Sequence, residues 1–158
     1  MTATPDDLLG QFWRSLAQAR TGLLGVVNDD GRAQPMTAHF DGSDGPLWFY
    51  ARADSRLVDQ VGESGESAAI FHYTGEGHEL YASLRGDIAA ERDTAAARRF
   101  WSDEVARWFP KGPDDPDLRL LRFTPSEAHL WRPSEGPDAK RFGLGGKRPD
   151  DVRATVQL

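Results

Sequence analysis

Residues 108–118 read WFPKGPDDPDL, from Trp108 to Leu118. Prolines at 110, 113 and 116 withhold three backbone donors and fix three φ angles, so neither a helix nor a ladder strand runs through the segment. Asp114, Asp115 and Asp117 are turn formers whose carboxylates bond nearby backbone N–H groups, and beside Pro113 and Pro116 they read as loop structure and capping rather than as a cation site. Two aromatics open the stretch, and an apolar run follows it. It is therefore a rigid loop that carries aromatics past the entrance of a strand.

Upstream, Ala97, Trp101, Val105 and Trp108 recur at helical spacing. They predict one long helix from Asp93 or Thr94, with a one-sided aromatic stripe that ends at the loop. Downstream, Leu118–Phe123 and Ala128–Trp131 predict two strands. Residues 133–148 are rich in Gly, Pro, Lys and Arg, and the whole of 133–158 is expected to be a mobile C-terminal tail.

Farther out, Thr4-Pro5-Asp6-Asp7 is a helix start, with Thr4 at the N-cap and Pro5 at the first helical position. Leu9, Phe12, Trp13 and Leu16 carry that helix to about Ala19. Thr21–Asn28 predicts a strand that ends in the hairpin signal Asn28-Asp29-Asp30-Gly31. Ala33–Phe40 and Leu47–Ala51 predict the next two strands. Asp54-Ser55 caps a short helix from Arg56 to about Gly62, with Leu57, Val58 and Val61 on one face. Ser67–Tyr73 predicts a fourth strand. Glu79–Glu91 alternates most clearly, with Ala82, Leu84, Gly86, Ile88 and Ala90 on one face and Tyr81, Ser83, Arg85 and Asp87 on the other. Its length predicts a bend near Gly86. A strand-rich order with few helices suits a small antiparallel barrel in one domain.

At 158 residues, 39% hydrophobic and 28% charged, the chain has the composition of an ordinary globular domain. The absence of cysteine removes disulfides, thiolate catalysis and cysteine-based metal sites. A net charge of −6 without a basic stripe argues against nucleic acid as a partner. No apolar run approaches membrane-spanning length and the N-terminus has no signal-peptide pattern, so no membrane is expected and the cytoplasm is the expected compartment. Five Trp and eight Phe are a heavy aromatic load for a core, an interface or a planar-ligand site.

His39, His72, His78 and His129 have no ligand-like spacing, and no metal site is expected. A nucleophile elbow is absent. Gly75-Glu76-Gly77 lacks the helix and lysine of a phosphate-binding loop. Arg52-Ala53-Asp54-Ser55-Arg56 places two cations beside a helix start, where a phosphate could sit or where the charges could simply be solvated.

The order of elements resembles the split-barrel flavoproteins of the pyridoxamine 5′-phosphate oxidase-like superfamily, and within it the bacterial general stress protein branch. The residues that carry this are Leu47-Trp48-Phe49-Tyr50, Asp54-Ser55, Phe100-Trp101, the 108–118 motif, and Leu120–Pro125 followed by Trp131. The likeness spans roughly residues 8–132. It implies a mainly β (α+β) domain over residues 1–132, a six- to seven-stranded antiparallel split β-barrel with flanking helices that binds FMN. It also implies a homodimer with flavin at the subunit interface. Met36, Thr37 and Ala38 would line the ring, and Phe49 and Tyr50 would sit near the ring or ribityl chain. Arg52, Ser55 and Arg56 would face the phosphate, and Trp101, Trp108 and Trp131 would come from the partner. Leu57 stands where relatives usually carry a lysine, so Arg56 or Arg52 would replace it. The implied function is an FMN-dependent oxidoreductase. The alternatives are a non-catalytic, stress-related flavin carrier and a deazaflavin (F420) reductase, with FAD as a further cofactor. No general acid or base can be named; Thr37 is the candidate for a hydrogen bond to the ring, and Tyr81 or His39 for a substrate contact.

Overall fold

The computed structural model describes residues 4–27, 32–42, 44–62, 65–92, 94–133 and 152–158. The chain opens with α1 (Pro5–Gln18), followed by β1 (Thr21–Val26), β2 (Gln34–Thr37) and β3 (Leu47–Arg52). Then come α2 (Arg56–Val61), β4 (Ser67–Thr74) and β5 (Tyr81–Glu91). Two short helices, α3 (Thr94–Arg99) and α4 (Asp103–Ala106), precede β6 (Leu118–Arg132) and β7 (Val152–Gln157).

Thr4 caps α1 as a capping box: its hydroxyl accepts from the Asp7 N–H, and the Asp7 carboxylate accepts from the Thr4 N–H. Leu8, Phe12, Trp13 and Leu16 form the buried face of the helix. Phe12 meets Tyr73 of β4 edge-on at 5.7 Å, and Trp13 meets Phe40 at 5.3 Å.

All pairings are antiparallel, in the order β2-β1-β4-β5-β6-β3. The path closes where His39 and Trp48 exchange backbone bonds of 2.8 and 2.7 Å, joining the end of β2 to β3. The seven-stranded sheet is thus a mainly β barrel, as the resemblance implied. The split lies along β6. On one edge it pairs with β5 over most of its length, and on the other its first half pairs with β3 and its second half with β7. Inside lie Leu24, Phe49, Phe71, Leu84, Ile88, Leu121, Phe123 and Leu130, all fully buried.

Several expectations change. The two strands foreseen after the proline loop are one strand of 15 residues. It continues through Pro125 because the β5–β6 register shifts there: Gly86 faces Pro125 while Arg85 faces Glu127, leaving Ser126 as the extra residue. A proline without an N–H is tolerated at such a bulge. The expected bend near Gly86 is this bulge, and only glycine fits it, since a Cβ at 86 would lie 2.1 Å from the Thr124 carbonyl oxygen.

The long helix expected from Asp93 or Thr94 is two short ones. Ser102 starts a new helix by accepting from the Val105 N–H, which breaks the aromatic stripe. Ala97 and Val105 are buried, Trp101 is half-buried, and Trp108 is 66% exposed.

The tail expected over 133–158 is also corrected. Residues 152–157 are β7, paired to β6 from Glu127 to Arg132, and Ala154 and Val156 pack against the core. The Gly-, Pro- and Arg-rich residues before it hid its period-two pattern. The expected hairpin turn at 28–31 and the basic segment 140–148 lie outside the described residues.

Candidate functional site

The motif from 108 to 118 is a chain of turns organised by Asp115, which is only 6% exposed. One Asp115 carboxylate oxygen accepts from the Asp117 N–H at 2.9 Å, and the other accepts from the Lys111 N–H at 3.2 Å. Asp114 pairs outward with Arg98 at 3.0 Å. Asp117 reaches toward Arg52 at 4.0 Å, and its carbonyl accepts from the Ala53 N–H at 2.7 Å. Of the three aspartates, Asp115 takes the expected loop-capping role, while the Asp114 and Asp117 carboxylates face arginines. The loop also pins the corner between β3 and α2.

Beside that corner lies an open cleft of ≈ 420 Å³. One wall is β2. Its ladder partner among the described residues is β1 alone, and with Ala38 donating to the Arg20 carbonyl the alternation turns the Pro35 carbonyl and the Thr37 N–H and carbonyl away from β1, toward a ligand. Pro35, which offers no N–H, sits where an edge strand tolerates it. The opposite wall is α4 and the start of the proline loop, with Val105, Trp108 and Phe109. Tyr50, Arg52 and Ser55 close the floor and one end.

Seven of the residues named from sequence therefore meet in one place: Met36, Thr37, His39, Tyr50, Arg52, Ser55 and Trp108. Thr37 is held through its hydroxyl, 3.0 Å from that of Thr21. Arg56 is exposed as the first residue of α2, next to Ser55. Ala38 and Phe49 are fully buried and do not reach the cleft. Phe49 alternates with Tyr50 along β3, so it faces inward and packs on Phe71 at 5.5 Å. Leu57 is also in the core, which leaves Arg52 and Arg56 as the cations of this corner. Trp101 lies behind the cleft, edge-on to Tyr50 at 5.9 Å. Trp131 lines a separate depression with Tyr81, Leu23 and His72.

The electrostatics of the corner are mixed. Arg52 is 3.3 Å from the Asp54 carboxylate and also faces Asp117, so much of its charge is already answered. Ser55 accepts from the Val58 N–H, leaving its own O–H to donate. At six residues α2 is too short for its dipole to dominate, so side chains decide anion affinity.

Two titratable groups line the cleft in uncharged form. Burial, reinforced by the Arg20 charge, lowers His39 from 6.5 to about 4. Burial raises Tyr50 to about 12, and its hydroxyl donates to the Ala97 carbonyl. Sequence reasoning missed Arg20, Glu104 and Val105 here; the start signal Ser102-Asp103-Glu104 was the clue to the last two.

The family described as "Pyridoxamine 5'-phosphate oxidase like" matches residues 7–144. The chain belongs to this family. Among solved structures, one from Xanthomonas campestris pv. campestris, assigned to a general stress family, is 36% identical. The match covers 85% of this chain and 93% of that one, with a TM-score of 0.78. The general stress FMN/FAD binding protein of Xanthomonas citri is 35% identical, covering 83% and 92%, with a TM-score of 0.76. A protein assigned as general stress protein 26 from Jannaschia sp. CCS1 is 31% identical, covering 98% and 100%, with a TM-score of 0.79. A search of the curated proteins finds no match. For a member of the pyridoxamine 5′-phosphate oxidase-like family, the cleft has the size of a cofactor site. It has apolar walls for a flat ring, a free strand edge for the ring's polar rim, and a Ser–Arg corner for an anionic tail. No described helix is long and apolar enough to cross a membrane.

Proposed function

We propose that this chain is an FMN-binding flavoprotein of the general stress protein type, with the flavin in the cleft between β2 and α4. The observation that carries this reading is the convergence of the unpaired β2 edge and the Arg52–Ser55 corner on one cavity, with Arg56 next in sequence. Similarity to an FMN/FAD binding protein supports it. Met36 and the backbone of Gln34–Thr37 would hold the ring, and Arg52, Ser55 and Arg56 would hold the phosphate. Trp108, exposed in the single chain, would cover a ring face, either in its own cleft or in that of a second copy.

A homodimer with flavin at its seam is part of the proposal. The exposed Leu23 and the depression beside Trp131 are surfaces that such a partner would cover. Bound FMN would supply the electron- and hydride-accepting ring, while the chain supplies orientation and a restricted approach. On this reading the protein is an oxidoreductase.

One observation favours a second reading, a flavin carrier without turnover. His39 and Tyr50 both hold their protonation near neutral pH, so neither is poised for general acid–base work. Anaerobic mixing of the FMN-loaded protein with NADH or NADPH separates the two. Bleaching of the flavin band at catalytic rates indicates an oxidoreductase; an unchanged band with both donors indicates a carrier. Sedimentation of the loaded protein tests the dimer, and a monomer alone would remove the shared site.

A further inference from the structure

His39 sits where the barrel closes, its backbone bonded in both directions to Trp48. Its ring is packed edge-on against Tyr50 at 5.1 Å and lies 6.1 Å from Phe100. The Arg20 guanidinium reaches its Nδ1 at 3.0 Å, and the same guanidinium faces the Glu104 carboxylate of α4 at 3.9 Å. Arginine only donates, so Nδ1 must accept and the single ring proton of a neutral His39 must sit on Nε2. Among the described residues no buried side-chain nitrogen or oxygen lacks a partner. Nε2 has no partner among them, so it retains access to open space, and the space that His39 lines is the cleft.

We propose that Arg20 locks His39 as its Nε2–H tautomer and that this N–H is an uncharged donor fixing a hydrogen-bond acceptor of the cleft's ligand. The inference rests on the flavin reading for the identity of that acceptor, a carbonyl oxygen or unprotonated nitrogen on the ring's rim. His39 is then a ligand-binding residue, and Arg20 and Glu104 are positioning residues that act through it. Among the described residues, the charged and titratable groups that meet the ring or its guanidinium partner are Arg20 before β1, Tyr50 on β3 and, across Arg20, Glu104 on α4. None of them is an acceptor placed to pull the proton to Nδ1. A donor that cannot accept discriminates among ligands: it favours an acceptor atom and rejects a ligand that presents an N–H at that point.

Two measurements test this, and they fail separately. Long-range proton–nitrogen NMR of the ligand-free protein should show Nδ1 of His39 unprotonated and Nε2 protonated from pH 6 to 8. In Arg20→Met the ring should exchange between both neutral forms. An Nδ1–H tautomer, or an imidazolium at pH 7, in the wild-type chain overturns the lock whatever the ligand is. FMN titration then tests the donor. His39→Leu should weaken FMN binding roughly tenfold or more, and His39→Gln, which can accept from Arg20 and donate onward, should restore it to within about threefold. Equal affinity of the Leu variant and the wild type overturns the donor role. Failure of the wild type itself to bind FMN overturns the flavin reading and the acceptor named here, while the tautomer spectrum still decides the lock.

Discussion

The backbone N–H of Ala53 donates to the carbonyl oxygen of Asp117 across 2.7 Å, tying the turn after β3 to the far end of the proline loop. Through that bond the rigid segment 108–118 sets the position of the Arg52–Ser55 corner. Its opening residues, Trp108 and Phe109, form part of the opposite wall of the same cleft. Loop and site are one mechanical unit.

Asp115 is the keystone of that unit because it is buried and accepts from two backbone donors. Asp115→Ala leaves both N–H groups without their acceptor and should lower stability by about 1–3 kcal/mol. FMN affinity should fall with it, as the corner loosens. Asp115→Asn keeps one acceptor and should lose less. Urea melts and flavin titration read both effects.

Arg52 and Arg56 are assigned to phosphate, which makes riboflavin the proper control. Arg56→Ala or Arg52→Ala should weaken FMN about tenfold, the scale of one charge-assisted hydrogen bond, and leave riboflavin affinity nearly unchanged. Asp54→Asn should strengthen FMN binding modestly, because it releases Arg52 from its nearest carboxylate. Equal losses for FMN and riboflavin in the arginine variants would place the phosphate elsewhere.

Gly86 permits the bulge through which β6 continues past Pro125. In Gly86→Ala the new Cβ would meet the Thr124 carbonyl oxygen, a backbone atom that cannot swing away. The expected cost is on the order of 2–4 kcal/mol, from forced separation of β5 and β6. A thermal melt within a few degrees of wild type would show that the two strands part more easily than their register implies.

His39 also gives stability a pH dependence. Its folded value of about 4 lies below the ordinary 6.5, so the unfolded chain binds the proton more tightly. The contribution is fully present above pH 6.5 and is lost as pH falls toward 4. Melting temperature should therefore drop across that window, and the part due to His39 should vanish in His39→Gln. The other histidines and the carboxylates add their own slopes, so the wild-type minus variant difference is the quantity to plot.

What could be read from the residues divides along a physical line. The Thr4-Pro5 start of α1 and the alternation in β5 are local signals, and both elements stand within two residues of where those signals placed them. Parity along β3 is a further local signal: Phe49 and Tyr50 are adjacent in a strand and face opposite ways, so of the two placed near the ring or ribityl chain only Tyr50 reaches the cleft. The break at Ser102 was concealed by aromatic spacing that mimics one long helix, and β7 by the composition of the residues before it. Arg20 could not be linked to His39 from spacing, because β1–β2 pairing and the closing bridge to Trp48 bring them together. The cleft draws on β2, β3 and α4, which only the closed barrel makes neighbours.

The most direct test of the central claim is equilibrium titration of the purified chain with FMN, followed by its visible spectrum and by flavin retained on ultrafiltration. One FMN retained per chain, with a shifted and structured flavin band and with riboflavin bound more weakly, is the expected result. A chain that retains no flavin at saturating FMN would contradict the assignment of the cleft.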